Sequence, residues 1–428
     1  MRSASAPNLA QFIRPGDTLT FGQADAQPLT LLRALAAQRH QFGRIRLFLG
    51  IGHGLQDILR PEYADTFDYL AYCGSGSNRT LAKAGVLDII VDHYSELPFL
   101  LGQGALKTDV VLLQLSPPDE QGRYSLGMAR EYLVPALQSA RMILAEVNPL
   151  VPWTYGGPYL REHEIDLLIE SDIEPDGTSL DMAEPEPEPI AQAIGRHVAS
   201  LVQDGATLQT GIGAVPDAIL AALISHRDLG LHSGSLGEGI VRIAESGALT
   251  NARKGVDTGT TIGGILMGGP RLRRFAHNNS QLALRSTAYT HNAQVLASLN
   301  RFTAINSAIE VDVTGQVNSE MAGSMYLGAV GGIVDFLRGA NASKGGLPVV
   351  ALPSMARGKS RIVAALSGPV TVPRSCSCVI VTEHGVVDLR GLTLSQRIDR
   401  MIGIAHPTQR SELEKAMSTQ HTQGWKTR

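Results

Sequence analysis

Residues 206–223, ATLQTGIGAVPDAILAAL, combine a strand-like apolar run, a glycine turn and a helical pattern in one short stretch. The first half of the chain repeats this alternation. RIRLFLGIG (44–52), DVVLLQL (109–115) and ARMILAEV (140–147) are strand-like, and helical patterns lie between them. Strands that alternate with helices are typical of βαβ units and a mostly parallel sheet. The sequence therefore predicts an α/β fold.

The chain has 428 residues, a length for which two domains are the natural expectation. Its composition changes at residues 174–190, EPDGTSLDMAEPEPEPI, which are acidic, rich in proline and poor in apolar side chains. Each proline restricts its own φ and disfavours helix in the residue before it, so this stretch is predicted to be an extended linker. The predicted domains are an N-terminal α/β domain (1–173) and a C-terminal α/β domain (191–428).

Composition also bears on the binding partners, the cellular compartment and the metal content that we expect. The formal net charge of −3 gives no reason to expect nucleic acid or an anionic membrane as a partner. No run of eighteen apolar residues occurs, and the segment MRSASAPNLAQFIRPGD lacks the apolar core of a signal peptide. The three cysteines are badly spaced for a disulfide framework, which fits a reducing cytoplasm. The histidines are scattered, so we expect no metal site.

Three glycine-rich segments are candidate binding loops. Thr210–Pro216 lies between a strand and a helix, Gly328–Phe336 leads into a helical pattern, and the pairs 263–264 and 268–269 form the third segment. A glycine turn before a helix exposes backbone N–H groups, which suit a phosphate, a carboxylate or a transient oxyanion. Tight turns without a ligand are the alternative. A dinucleotide site is less favoured, because GIGAVP lacks the third glycine of that motif.

Nine longer segments make the pattern more specific. They are LSPPDEQGRYSLG (115–127), AEVNPLVPWTYG (145–156), TGIGAVPDAI (210–219), DLGLHSGSLGEGIVRIAESGALTNARK (228–254), AINSAIEVDVTGQVNSE (304–320), GAVGGIVDFLRGA (328–340), ALPSMARGKSRIV (351–363), TVPRSCSCVIVTEHGVVDLRGLTLSQR (371–397) and IAHP (404–407). In this order and spacing they resemble the acetyl-CoA hydrolase/4-hydroxybutyrate CoA-transferase family. The resemblance implies two CoA-transferase-type α/β domains with mostly parallel sheets, an active-site cleft between the domains, and a homodimer.

The resemblance also implies a chemistry. In that family a glutamate attacks an acyl-CoA, and CoA then passes through an enzyme–CoA thioester to a carboxylate acceptor. Backbone N–H groups stabilise the developing oxyanion, and such donors are worth about 3–4 kcal/mol each. The resemblance assigns one donor to Gly331 or Gly332 and the other to the stretch Ile212–Val215.

The predicted CoA- and substrate-binding residues lie in these loops and in two basic clusters. They are Gly211, Ile212, Gly213, Ala214, Val215, Gly328, Val330, Lys254 and Lys359. The phosphates of CoA require cations or N–H donors, which is why the two lysines are included. Lys359 is the stronger candidate of the two, because RGKSR stands where the family has a loop beside the cleft. A solvated surface is the alternative for either cluster.

The segment His232–Gly239, HSGSLGEG, departs from the family. Family members read His-Ser/Thr-Glu here, and that glutamate is their covalent nucleophile. This chain has Gly234 at the position, and glycine has no side chain that could attack a thioester.

Three interpretations of Gly234 remain open. The favoured one is direct transfer of the acyl group from CoA to a second substrate, through the loops that supply N–H donors and without a glutamyl intermediate. His232, Glu238 and His291 are the candidate bases. The second is ordinary CoA transfer or hydrolysis with Glu238 as a relocated carboxylate, although four residues span more than 10 Å. The third is a non-catalytic protein that binds a CoA ester.

Overall fold

The computed structural model describes residues 7–174 and 188–421, with side chains as far as residue 418. The helices are α1 (Leu29–Ala37), α2 (Asn78–Lys83), α3 (Leu97–Gly102), α4 (Leu133–Ser139), α5 (Pro189–Ala199), α6 (Ala214–Ala222), α7 (Gly239–Glu245), α8 (Pro270–Ala276), α9 (Thr287–Thr290), α10 (Ala293–Ser298), α11 (Ile333–Ala342), α12 (Leu394–Ile404) and α13 (Pro407–His421).

The strands of the first half are β1 (Thr18–Phe21), β2 (Ile45–Leu49), β3 (Phe67–Ala71), β4 (Leu87–Ile89), β5 (Val110–Leu115), β6 (Arg123–Tyr124), β7 (Met142–Val147), β8 (Leu160–Arg161), β9 (Leu167–Glu170), β10 (Thr207–Thr210), β11 (Gly230–Leu231) and β12 (Ser235–Leu236). Those that follow are β13 (Thr261–Gly263), β14 (Ile265–Leu266), β15 (Leu282–Leu284), β16 (Thr303–Asn306), β17 (Glu310–Asp312), β18 (Val317–Asn318), β19 (Met321–Ala322), β20 (Met325–Tyr326), β21 (Leu347–Ala351), β22 (Met355–Ala356), β23 (Lys359–Ser360), β24 (Ile362–Val363), β25 (Val379–Thr382) and β26 (Gly385–Asp388).

The described residues form two compact units. The first contains the chain up to residue 174 together with Gly234–Glu238 and Ile262–Thr290. The second contains residues 188–233, Gly239–Thr261 and the residues from 291 onward. Gly234–Glu238 and Ile262–Thr290 fall inside the predicted C-terminal domain 191–428, yet they belong to the first unit.

The predicted linker lies mostly outside the described residues. Residues 175–187 are not described, and helix α5 begins at Pro189. Proline at this position suits the first turn of a helix, because the N–H group that it lacks would have no partner inside the helix.

The first unit is built on a parallel sheet of seven strands in the order β4-β3-β2-β1-β5-β7-β9. Every residue of β5 is buried, as expected for a strand of a sheet that is covered on both faces. The strand order reverses between β1 and β5, and ligand crevices of such sheets form at the carboxyl ends of the strands where the order reverses. Gln23 and Asp25 follow β1 at that end and are buried.

The second unit is built on a six-stranded sheet in the order β11-β10-β16-β21-β25-β26. Its neighbouring strands are parallel except for the antiparallel edge strand β26. Residues 206–223 form β10, a turn and α6, as their sequence pattern predicts. The two sheets confirm the prediction of α/β architecture with mostly parallel strands.

A small parallel pair, β12 with β14, holds the segment that follows Gly234 inside the first unit. The carbonyl oxygen of Gly234 accepts hydrogen bonds from the N–H groups of Gly264 (2.9 Å) and Ile265 (3.1 Å). Gly264 in turn accepts from the N–H group of Arg130 at 2.9 Å. These backbone contacts explain why a segment from the middle of the chain belongs to the unit formed by the first 174 residues.

Candidate functional site

His232 and Ser233 are buried at the end of β11 in the second unit. The His232 N–H group donates to the Leu208 carbonyl at 2.9 Å. The Ser233 hydroxyl donates to the Thr210 carbonyl at 2.8 Å. These bonds place the residue before Gly234 against the last residue of β10, where the first glycine turn begins.

That turn leads directly into α6. Gly213 has φ +110° and is the N-cap of the helix, a backbone conformation that residues with side chains rarely adopt. Ile212 is 42% exposed beside it. Ala214 and Val215 lie in the first turn of the helix, where N–H groups have no partner inside the helix. Gly211 completes the predicted binding stretch.

The second glycine turn leads into α11. Gly331 has φ +58°, and Gly332 is the N-cap of the helix. A Cβ atom on Gly332 would lie 2.6 Å from Nε2 of His291, so this position has room only for glycine. The Gly328 N–H group donates to the Glu320 carbonyl at 2.9 Å, which holds the start of the turn that includes Val330.

Both glycine turns lie at the same edge of the six-stranded sheet. Helix α6 follows β10, so it begins at the carboxyl end of that strand. Helix α11 packs against β21 and leads into it, so it also begins at the carboxyl edge. Because β10 and β21 flank β16, the structure brings the two predicted donor loops to one edge of the second unit.

His291 supports the second turn. Its ring packs on Phe336 of α11 with 4.4 Å between the ring centroids. Burial, together with the nearby His232, lowers the pKa of His291 to about 3. The imidazole is therefore neutral at ordinary pH and a weak base, which disfavours His291 as the proton acceptor.

Gly234 and Glu238 belong to the first unit. Oε1 of Glu238 accepts a hydrogen bond from the N–H group of Gly269 at 2.6 Å, and Gly269 is the N-cap of α8. Asp25 accepts from the N–H group of Gly268 at 2.8 Å. The glycine pair 268–269 is thus held by two carboxylates, and Glu238 is engaged in holding the start of a helix.

The two predicted CoA-binding lysines occupy opposite environments in the second unit. Lys254 is completely buried, and its ammonium donates to the carbonyls of Leu231 (3.0 Å) and Thr260 (2.6 Å). Burial lowers the pKa of Lys254 to about 8. Lys254 would have to leave both carbonyls to bind a phosphate. Lys359 is exposed on the β22–β23 hairpin and remains the better candidate.

Glu131 is a buried carboxyl group of the first unit that the sequence patterns did not indicate. Both of its oxygens accept from the side-chain amide of Gln23, at 2.7 and 2.9 Å, and Oε2 also accepts from the Tyr94 hydroxyl at 2.7 Å. Burial raises the pKa of Glu131 to about 7.

The local sequence did not single out this residue. The stretch REYLVPALQSA (130–140) has the apolar spacing of a helix, but α4 begins only at Leu133. Glu131 therefore lies on the segment before the helix, between Arg130 and the N-cap residue Tyr132. Since its immediate neighbours are an arginine and a tyrosine, nothing in the local sequence indicated a buried carboxyl group.

Within the described part of the chain, no group of three or more His, Cys, Asp or Glu side chains is arranged to hold a metal ion. Over the same residues, none of the helices combines the length and hydropathy needed to cross a lipid bilayer.

Comparison with known proteins identifies the family. Residues 2–173 match the acetyl-CoA hydrolase/transferase N-terminal domain, and residues 268–417 match the corresponding C-terminal domain. The 4-hydroxybutyrate coenzyme A transferase of Clostridium kluyveri is 35% identical over 399 residues, which cover 92% of each chain. The chain belongs to the acetyl-CoA hydrolase/transferase family. This confirms the family that the nine segments predict, and the protein is an enzyme of a family that uses CoA thioesters.

Other known proteins are similar to this chain over nearly its full length. The succinyl-CoA:cyclohexane-1-carboxylate CoA transferase of Geobacter metallireducens is 33% identical, covering 95% of this chain and 93% of its own. Among solved structures, RipA from Yersinia pestis superposes with a TM-score of 0.90 at 32% identity, over 96% of each chain. A 4-hydroxybutyrate CoA-transferase from Porphyromonas gingivalis superposes with a TM-score of 0.79 at 31% identity, over 96% of each chain.

Proposed function

We propose that this family member transfers the acyl group of an acyl-CoA directly to a small-molecule acceptor, without a covalent glutamyl intermediate. The observation that carries the proposal is Gly234, which replaces the nucleophilic glutamate expected from the resemblance. The glycine turns at Gly213 and Gly331, in contrast, have φ values of +110° and +58° and each leads into a helix, which supports a role of these turns as N–H donors.

The N–H groups of the two turns supply the stabilisation that a direct attack requires. As a nucleophile adds to the thioester carbonyl, negative charge develops on its oxygen. Donors from Gly331 or Gly332 and from Ile212–Val215 would bind that oxygen, and each such donor is worth about 3–4 kcal/mol. Because they belong to the backbone, these donors do not depend on the identity of residue 234.

The geometry of Glu238 argues against the relocated nucleophile. Its Oε1 is bound at 2.6 Å to the N–H group of Gly269, at the start of α8. This bond anchors the carboxyl group at the start of α8, so moving it to the place of the family's glutamate at position 234 would break the bond, at a cost of about 1–3 kcal/mol. Direct attack by the acceptor has no such cost.

The test measures thiol release from a panel of acyl-CoAs and, by mass spectrometry, the formation of new CoA thioesters, with and without carboxylate, amine and alcohol acceptors. The natural protein is compared with Gly234→Glu and with Gly234→Gln, which adds the same volume without a nucleophilic carboxylate. We expect acceptor-dependent release by the natural protein and its loss in both variants, because both side chains fill the space beside the loop.

Two results would overturn the proposal. In one, the natural protein is inert with every acceptor while Gly234→Glu gains carboxylate-dependent CoA transfer, which identifies a disabled transferase. In the other, the natural protein binds acyl-CoA tightly and never releases CoA, which identifies a CoA-ester-binding protein. Loss of acceptor-dependent release in Glu238→Gln at unchanged stability would instead support the relocated nucleophile.

A further inference from the structure

Glu131 is a buried carboxyl group whose described partners carry no positive charge. It is 2% exposed. Its hydrogen bonds come from the amide of Gln23 and the phenol of Tyr94, and among the described residues no lysine or arginine forms an ion pair with it. A buried carboxylate without a cation is costly, and such groups occur preferentially at functional sites.

The network around Gln23 fixes the direction of its amide. Oε1 of Gln23 accepts from the N–H group of Ile51 and from the Tyr72 hydroxyl, each at 2.7 Å. The NH₂ group must therefore face Glu131. The next residue, Ala24, has φ +47°, a left-handed conformation that is strained for a residue with a side chain. Backbone strain of this kind is concentrated at active sites and ligand-binding sites.

Glu131 and the backbone of Gly234 are both neighbours of Gly264. A Cβ atom built on Gly264 would lie 2.7 Å from the carbonyl oxygen of Gly234 and 3.5 Å from Cβ of Glu131. The Gly234 carbonyl and the Cβ atom of Glu131 therefore both lie close to Gly264. The Gly264 N–H group also donates to the Gly234 carbonyl at 2.9 Å, so the contact between the two segments is well defined.

We infer that Glu131 is the general base that accepts the proton of the acceptor. The residue at position 234 is glycine and cannot act as a nucleophile, so the acceptor itself attacks the thioester. This inference rests on the proposed direct acyl transfer. The acceptor, H–X, attacks the thioester carbonyl carbon while its proton passes to Glu131, directly or through one water molecule. The C=O electron pair moves to oxygen, and when it returns the C–S bond breaks.

The proton that Glu131 takes up is returned to the leaving group. Glu131 gives the proton to the departing CoA sulfur, so that acyl–S–CoA and H–X become acyl–X and CoA–SH. Glu131 ends the cycle as a carboxylate, and no oxidant, reductant or metal ion takes part. A base is most effective when its pKa is close to the working pH, and the pKa of Glu131 is raised to about 7.

The titratable groups that face Glu131 do not obscure its titration. They are the phenols of Tyr72, Tyr94 and Tyr132, and burial raises the pKa of each well above its ordinary value. All three remain neutral near pH 7. The transfer rate should therefore rise with pH as Glu131 ionises, with a midpoint near 7.

Glu146 provides a matched control in the same unit. It is completely buried, burial raises its pKa to about 7, and Oε2 accepts from the N–H group of Leu31 at 3.0 Å. Glu131→Gln and Glu146→Gln thus each replace a buried carboxyl group with a pKa of about 7 by an amide that does not ionise. Circular dichroism and the melting temperature establish that each variant is folded.

The experiment measures single-turnover CoA release, with the acceptor found for the natural protein, from pH 5 to pH 9. We expect Glu131→Gln to lower the rate about 100-fold or more and to abolish the pH-dependent rise, with the KM for acyl-CoA little changed. Glu146→Gln should retain both the rate and the rise. Tyr94→Phe removes a hydrogen bond that lowers the pKa of Glu131, so the pH-dependent increase in the rate of this variant should move to higher pH.

The outcomes separate the two proposals. If the natural protein releases CoA and Glu131→Gln does so at a similar rate with the same pH profile, the role of Glu131 is wrong and direct transfer stands. If Glu146→Gln loses as much activity as Glu131→Gln, the effect is structural and the inference fails. If the natural protein is inert with all acceptors, direct transfer fails and the role of Glu131 fails with it.

Discussion

The glycine turns of the second unit and the Gly234 segment of the first unit depend on the sequence in different ways. The turns offer backbone N–H groups, and their shape depends on positions such as Gly331, where φ is +58°. In the Gly234 segment, the resemblance places a nucleophilic glutamate at position 234, and this chain has glycine there. Backbone donors depend on the folded shape of several residues, whereas a nucleophile depends on one side chain. One substitution can therefore remove the covalent step and leave the donors in place.

The largest effect is expected from Gly332→Ala. The added Cβ would lie 2.6 Å from the ring of His291 and displace the turn. We expect CoA release to fall about 100-fold or more, as for the loss of an oxyanion donor. Gly403→Ala is the control, because its Cβ meets nothing within 4 Å, and its rate should be unchanged. Equal rates in the two variants would show that the turn at Gly332 contributes nothing.

The buried carboxyl groups of the first unit should make stability depend on pH. The pKa of Glu131 and that of Glu146 are raised from 4.5 to about 7 in the folded protein. Between these values the folded state retains protons that the unfolded chain has lost. The free energy of unfolding should therefore decrease as pH rises from about 4.5 to about 7, by up to a few kcal/mol per group, and then level off.

Denaturant titrations across that pH range check this expectation. Glu146→Gln removes one of the two contributions, so its stability should decrease less steeply with pH than that of the natural protein. An unchanged slope would mean that Glu146 is ionised in the folded state at low pH.

A smaller effect on stability is expected from Glu238→Ala. The variant loses the acceptor for the Gly269 N–H group at the start of α8, at a cost of about 1–2 kcal/mol. Acceptor-dependent CoA release should stay within a few-fold of the natural rate when measured well below the melting temperature. Complete loss of release in a folded variant would identify Glu238 as the nucleophile.

The smallest effect is expected for Lys359→Ala. Lys359 is exposed, so the variant should weaken acyl-CoA binding by no more than about tenfold and leave stability unchanged.

Lys254→Met should instead lower stability and leave acyl-CoA binding unchanged. It removes the donor to two carbonyl groups, at a cost of about 1–3 kcal/mol of stability. Calorimetry measures acyl-CoA binding and thermal melts measure stability, so together they distinguish the effects of the two lysine variants. A large loss of binding in a stable Lys254→Met variant would assign the CoA contact to Lys254.

Much of the fold follows from local pattern. Residues 206–223 contain the apolar run of β10, the glycine that α6 requires at its N-cap and the apolar face of the helix, all within eighteen positions. The return of Gly234–Glu238 and Ile262–Thr290 to the first unit could not be predicted in this way. These segments pair through strands of two or three residues, which are too short for a periodic pattern.

The candidate site was predictable only where it depends on glycine. Gly213, Gly331 and Gly332 have conformations or contacts that disfavour a side chain, and the sequence shows them as glycines before helices. Glu131 was not predictable, because burial in the folded protein raises its pKa, and its hydrogen-bond partners Gln23 and Tyr94 are far away in sequence. The burial of Lys254 was not predictable, because its carbonyl partners come together with it only in the folded protein.

The most direct test of direct transfer is a search for the covalent intermediate. The natural protein and Gly234→Glu are each incubated with acyl-CoA, treated with borohydride and examined by peptide mass spectrometry. We predict no modified glutamate in the natural protein under conditions where it releases CoA to an acceptor, whereas residue 234 of the variant supplies the positive control. A glutamate reduced to its alcohol in the natural protein, at Glu238 or elsewhere, would contradict direct acyl transfer.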